Sequence, residues 1–187
     1  RNSADLFKFQ RQGMKNRILA SIALLFADRI TIQFENYRYK YPFFIRSKII
    51  TISNPVNPNK NPYFPNELKE PPQRILNVGR LSNQKNQLFL IKSFSLIAQN
   101  NPDWILTIVG EGEYRSTIEQ LILEKGLQNR IELIGAVKDV DRWYQKSSFF
   151  AFPSLWEGFP NALAEAFCEG LPAIGLLCTL ETFLPIL

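Results

Sequence analysis

The sequence contains no histidine. Imidazole general bases, Ser-His-Asp triads and histidine metal sites are therefore excluded within this chain. Cysteine is nearly as scarce: Cys168 and Cys178 form neither a CxxC pair nor a disulfide framework. That usage points to a reducing compartment, with Cys168 a small buried residue of a helix. No apolar run approaches the ~20 residues of a membrane-spanning helix; the longest, Ile18 to Ala27, is too short. The first residues are polar, so no secretory leader is evident. The sequence does not open with Met, and we read it as a piece of a longer chain.

What is present fits one well-buried domain with a smaller appendage, at 187 residues. The net charge of +5 is uneven. Residues 1–53 carry ten Lys/Arg against three Asp/Glu, or +7, and the remainder twelve against fourteen, or −2. A basic N-terminal part suits an anionic membrane surface, nucleic acid or an acidic substrate, or is a solvated face. Residues 5–27 read as a helix, with Leu6, Phe9, Met14, Ile18, Ile22 and Leu25 apolar and Lys8, Arg11, Lys15 and Arg17 basic. That pattern permits contact with a membrane surface, or a packed helix with one wet side. Alternation over Arg29–Phe34 and Lys48–Ser53 predicts two strands flanking an aromatic stretch, Tyr37 to Phe44. Residues 54–73, with prolines at 55, 58, 62, 65, 71 and 72, continue neither a helix nor an interior strand. We place a linker there, between a remnant domain at 1–53 and a second domain at 74–187.

From Arg74 onward strands and helices alternate. Strands are expected at Arg74–Gly79, Trp104–Val109, Ile131–Ile134, Ser148–Phe152 and from Ala173. Helices are expected near Asn86–Gln99, Tyr114–Lys125 and Val140–Lys146, and from about Pro160 to Gly170. Repeated βα units imply a parallel sheet covered on both faces, an α/β, doubly wound Rossmann-like domain. Ligands of such sheets sit beyond the carboxyl ends of the strands, here the loops after Val78, Val109, Ile134 and Phe152.

The loop after Phe152 opens the stretch from Ser154 to Pro172, with Glu157 at the helix mouth and Glu165 eight residues on. Eight residues of helix rise roughly 12 Å and return to nearly the same face. The carboxylates then look at opposite ends of an elongated ligand, too far apart for a glycosidase pair at roughly 5–9.5 Å. The backbone N–H groups between them suit a phosphate. The alternative is that Glu165 and Glu169 face solvent. After Val78, Gly79 lets the backbone approach a ligand, and Arg80 and Lys85 set two cations at the sheet edge, matching a diphosphate or simply solvated. Gly110-Glu-Gly112 is half a dinucleotide fingerprint, but residue 115 is Arg, and we read it as a turn. Gly135-Ala-Val137 lines a base pocket or is an ordinary loop.

Taken together, Val78-Gly-Arg80-Leu-x-x-x-Lys85-Asn86, Val109-Gly-Glu-Gly, Ile131-x-Leu-x-Gly135 and Pro153-Ser-x-x-Glu157-Gly-Phe-Pro-Asn-x-Leu-x-Glu165-Ala-x-x-x-Gly170-Leu-Pro172 resemble the donor domain of family 4 retaining glycosyltransferases of the GT-B fold. The resemblance covers about residues 74–177, and residues 28–60 resemble the last strands of that family's N-terminal domain. It implies one half of a GT-B fold, incomplete at both ends, with a nucleotide-diphosphate sugar as donor, a UDP-sugar favoured. It implies that Arg80 and Lys85 hold the diphosphate beside Gly79, helped by the amides of Phe159 and Asn161. Glu157 would contact the transferred hexose or N-acetylhexosamine, Glu165 the ribose, and the Val137 region the base. It implies retention of configuration without a metal or other cofactor, and a polysaccharide or lipid-linked glycan as acceptor. The expected setting is cytoplasmic, at the membrane face where the basic part meets anionic lipid, with no nucleic-acid partner. The other reading is a non-catalytic nucleotide-binding or interaction fragment.

Overall fold

The structure, a computed structural model, describes residues 22–56 and 73–176. The helix expected from residue 5 lies outside the described residues up to 21, as do residues 57–72 of the linker and the tail from 177, with Cys178. The chain divides into two compact units, Arg1–Pro55 and Val56–Leu187.

In the first unit, residues 22–26 are helical. Strands β1 (Ile30–Ile32) and β2 (Ile49–Thr51) pair in parallel, Ile30 opposite Ile49. Parallel strands need a crossover. Here the aromatic stretch supplies it as two 3-10 turns, Glu35–Lys40 and Phe43–Lys48. Ile30, Ile32, Tyr41, Ile45 and Ile49 form the core, against which Leu24, Ala27 and Tyr37 pack. The Lys48 ammonium donates to the carbonyls of Leu25 at 2.7 Å and Ala27 at 3.0 Å, satisfying the end of the helical turn.

The second unit runs β3 (Arg74–Val78), α1 (Gln87–Ile97), β4 (Ile105–Val109), α2 (Arg115–Glu124), β5 (Ile131–Gly135), α3 (Asp141–Gln145), β6 (Phe149–Phe152), α4 (Asn161–Cys168) and β7 (Ala173–Gly175). All five strands are parallel, in the order β5-β4-β3-β6-β7. The expected alternation therefore holds element by element.

Period two divides the sheet between two sets of helices. Ile75, Leu106, Ile108, Ile131 and Ala151 join Ile91 and Phe94 of α1 and Ile118 and Ile122 of α2 in one core. The other face carries Leu76, Phe150 and Phe152, all buried, with Tyr144 of α3 packed 5.9 Å from Phe150. The hydroxyl of Tyr144 also reaches the Ala162 carbonyl of α4, so α3 and α4 cover this second face. The sheet is doubly wound. Buried Thr107 is polar because the Arg74 guanidinium bonds both it and Glu132, across three strands.

Candidate functional site

Strand order reverses at β3: the chain goes outward through β4 and β5, then returns to place β6 on the other side. Loops leaving β3 and β6 must diverge there, and such a switch point is where open α/β sheets bind ligands. One side chain marks the parting. The backbone ladder between β3 and β6 is in register at Ile75–Phe149 and Leu76–Phe150. One residue on, the buried Asn77 amide donates to the Ala151 carbonyl at 3.0 Å.

Above that wedge the two loops are stitched together. The Leu155 amide donates to the Gln84 carbonyl at 2.8 Å, and Gln84 Nε2 donates to the Trp156 carbonyl at 2.8 Å. Asn86 is left-handed, φ 55°, which a short polar side chain tolerates, and its Nδ2 donates to the Pro153 carbonyl at 3.2 Å. Buried Gln87 folds the β3 loop on itself through the Arg80 carbonyl, 3.0 Å away.

The glycines of the next loop are packing devices. A Cβ on Gly110 would lie 2.0 Å from the Gly79 carbonyl oxygen, and one on Gly112 would lie 2.2 Å from that of Leu81. The Leu81 amide donates to the Glu111 carbonyl at 2.9 Å, so the β4 loop is a bed for the β3 loop. The Gly-x-Gly turn thus has a structural cause unconnected with a dinucleotide.

Lys85 and Glu157, 72 residues apart, meet as an ion pair, Nζ to Oε1 2.5 Å. Both are largely enclosed, their side chains 19% and 10% exposed. Gln84 Nε2 adds a bond to Glu157 Oε2 at 3.3 Å, and Phe152 presents its ring 5.8 Å from the ammonium. Gly79 is explained by the same pair: a Cβ there would sit 3.3 Å from Cδ and Cε of Lys85. Its missing side chain gives room to the lysine stem. Arg80 is exposed, and its guanidinium makes no hydrogen bond or ion pair among the described residues.

Around α4 the structure revises three expectations. The helix begins at Asn161, so the segment from Glu157 to Pro160 is loop, and an unbroken eight-residue helical rise does not separate the carboxylates. Pro160, at φ −81° and ψ 77°, centres an inverse γ-turn instead of opening the helix, its fixed φ suiting either role. That turn closes Asn161 N–H onto the Phe159 carbonyl at 3.0 Å. Leu163 and Ala164 donate to the Pro160 carbonyl, which leaves Ala162 as the first-turn amide without a carbonyl acceptor among the described residues. Phe159 itself is half-buried in this loop. Gly170, φ 74°, ends the helix as expected.

Nor do Glu165 of α4 and Glu169 just after it face solvent. Glu165 is half-buried and accepts a hydrogen bond from the Tyr144 hydroxyl at 3.0 Å, while Glu169 is 8% exposed and takes one from Gln145. Burial, and then the Glu165 carboxylate, push the Tyr144 hydroxyl far above the usual tyrosine range, so it remains a donor. Cys168 is half-buried rather than buried, with a free thiol. Val137 is half-buried in the loop after β5, whose Gly135 carbonyl accepts from Gly110. Gln84, Gln87 and Tyr144 were invisible to pattern reading, since most of their partners lie far along the chain; Asn86, at a helix entry, stood in the motif, but its bond to Pro153 did not show there.

Four loops thus open on one sheet edge, with a largely enclosed ion pair at the reversal of strand order. Residues 59–176 match the family profile described as glycosyl transferases group 1. The chain belongs to that family. This glycosyl transferase chain is 40% identical over 104 residues to an uncharacterized glycosyltransferase of Methanocaldococcus jannaschii, covering 56% of this chain and 26% of that one. It is 34% identical over 138 residues to one of Haemophilus influenzae, covering 73% and 38%. An Escherichia coli relative, 39% identical over 100 residues (52% and 26%), is a UDP-Gal:alpha-D-GlcNAc-diphosphoundecaprenol alpha-1,3-galactosyltransferase. The chain spans between a quarter and two fifths of these relatives' lengths. Among solved structures it superposes on Staphylococcus aureus TarM in complex with UDP, with TM-score 0.74 and 19% identity over 94% of this chain and 36% of that one. It superposes likewise on Anabaena HepE with UDP and glucose, with TM-score 0.71 and 20% identity over 90% and 49%. These likenesses establish the GT-B glycosyltransferase fold.

Proposed function

We propose that the 74–187 unit is the donor-binding half of a retaining glycosyltransferase that takes a nucleotide-diphosphate sugar, a UDP-sugar favoured, and glycosylates a polysaccharide or lipid-linked glycan. The observation that carries this reading is the Lys85–Glu157 pair at the β3/β6 switch point. A diphosphate entering there meets the Lys85 ammonium, the exposed Arg80 and the Ala162 amide, which has no carbonyl acceptor among the described residues. As Lys85 turns to phosphate, Glu157 is freed to accept hydroxyls of the hexose or N-acetylhexosamine. Glu165 takes the ribose and the loop at Val137 the base. The acceptor oxygen bonds to the anomeric carbon from the face the diphosphate leaves, the carbon–oxygen bond to phosphate breaks, and the acceptor's proton passes to a phosphate oxygen. Configuration is retained. The protein's main task is to stabilise the departing charge, which these cations do without a metal or other cofactor.

Isothermal titration of UDP- and GDP-sugars against the chain and its Arg80→Ala, Lys85→Ala and Glu165→Ala variants tests the assignment. Each substitution should weaken the preferred donor at least tenfold, about 1.4 kcal/mol. Equal affinity across the four proteins would strip all three side chains of their donor-binding roles. A second reading is a nucleotide-binding or interaction fragment without turnover. Glycoside formation by this chain alone would exclude that.

A membrane-face location in the cytoplasm, with no nucleic-acid partner, belongs to the same proposal. Its support in the first unit is the exposure of Phe43 and Phe44, at 80% and 56%, beside Arg46 and Lys48. Sedimentation with phosphatidylglycerol vesicles at low salt should carry the chain down, and Phe43→Ser/Phe44→Ser should not. Equal pelleting of both would refute it.

A further inference from the structure

Tyr144 is the one fully buried tyrosine among the described residues, and its single polar atom is aimed at the site. The ring is fixed against Phe150 beneath α4. The hydroxyl lies 3.0 Å from Glu165 Oε2 and 3.1 Å from the Ala162 carbonyl. One hydrogen serves one acceptor at a time, and the carboxylate is the stronger of the two. Glu165 has no other side-chain hydrogen bond or ion pair among the described residues. Without that bond, a glutamate on the first turns of a helix has three free torsions and no fixed direction. A second tie, Gln145 to Glu169 at 3.3 Å, holds the same short helix α3 along α4.

We infer that Tyr144 is a positioning residue: its hydroxyl anchors one oxygen of the Glu165 carboxylate and thereby presents the other to the ribose hydroxyls of the bound nucleotide. This rests on the donor-site reading above. Tyr144 touches no ligand; it acts by removing the freedom of the group that does. Ribose recognition then depends on α3, an element that carries none of the family-like motif residues.

The readout is discrimination between uridine diphosphate and its 2′-deoxy and 3′-deoxy analogues, measured as a ratio of dissociation constants by titration calorimetry. The unmodified chain should prefer the ribonucleotide, and Glu165→Ala should abolish the preference. Tyr144→Phe deletes one oxygen and keeps the ring packing. It should lower the preference about fivefold, weakening the deoxy analogues, which keep one hydroxyl, less than the ribonucleotide. Tyr144→Phe/Glu165→Ala should discriminate no worse than Glu165→Ala alone. A Tyr144→Phe protein with the full preference overturns the inference. So does one that weakens all three ligands equally, which is the mark of a general prop for α4 or of a damaged fold. If Glu165→Ala keeps the preference, or the unmodified chain binds no uridine diphosphate, the donor-site reading itself fails, whatever Tyr144 does.

Discussion

Lys85 and Glu157 neutralise each other inside a half-enclosed cleft, and neither charge is comfortable there alone. Lys85→Met leaves Glu157 with Gln84 as its only partner among the described residues, and the partial exposure of both groups tempers the penalty. We expect a loss of about 2 kcal/mol in urea unfolding, mostly recovered in Lys85→Met/Glu157→Gln. A single variant as stable as the parent would show the pair to be slack. A second contrast concerns two glycines at positive φ. Gly126, φ 66°, has nothing within 4 Å of a built Cβ, so Gly126→Ala should cost only about 1 kcal/mol of conformational strain. Gly110→Ala drives a methyl into the Gly79 carbonyl and should cost about 3 kcal/mol or more. Chemical unfolding of the two side by side measures the difference, and equal losses would contradict the nested-loop packing.

Among the elements, β3 and β6 carry most of the meaning, because their separation opens the cleft. Asn77 supplies the side-chain bond that spans that parting. Asn77→Ala leaves the Ala151 carbonyl without its donor and should cost about 1–2 kcal/mol, with faster amide exchange in β6. Unchanged exchange there would mean the strands are held together by other contacts. Strand and helix alternation could be read from the residues because buried parallel strands are short apolar runs, such as Ile105–Val109, punctuated by Gly110. Gly170 could be read too, since a left-handed helix end is a local matter. The entry of α4 could not. Pro160 is equally at home in a γ-turn and at a first helical position, and only the surrounding fold selects between them. Partners such as Tyr144 with Glu165, or Gln84 with Glu157, belong to tertiary packing and leave no periodic trace. Residue types at the cleft were therefore predictable, but their pairing was not.

For the whole molecule, two units with separate cores imply separable responses. Uridine diphosphate at a hundred times its dissociation constant should stabilise the second unit by about 2.7 kcal/mol. Hydrogen exchange should then slow in β3, β4 and β6 while Ile30–Ile32 and Ile49–Thr51 exchange as before. Equal protection of both units would show that they unfold together. The described helices include none long and apolar enough to cross a membrane.

The pressing of Gly110 and Gly112 onto the Gly79 and Leu81 carbonyls has a consequence for altering this protein. Two turns that share main-chain contacts with no spare volume behave as one casting, and neither tolerates retooling without the other. Libraries aimed at a new donor should leave that casting untouched and diversify the rim at 136–139, where Ala136, Lys138 and Asp139 are exposed and a changed side chain has somewhere to go.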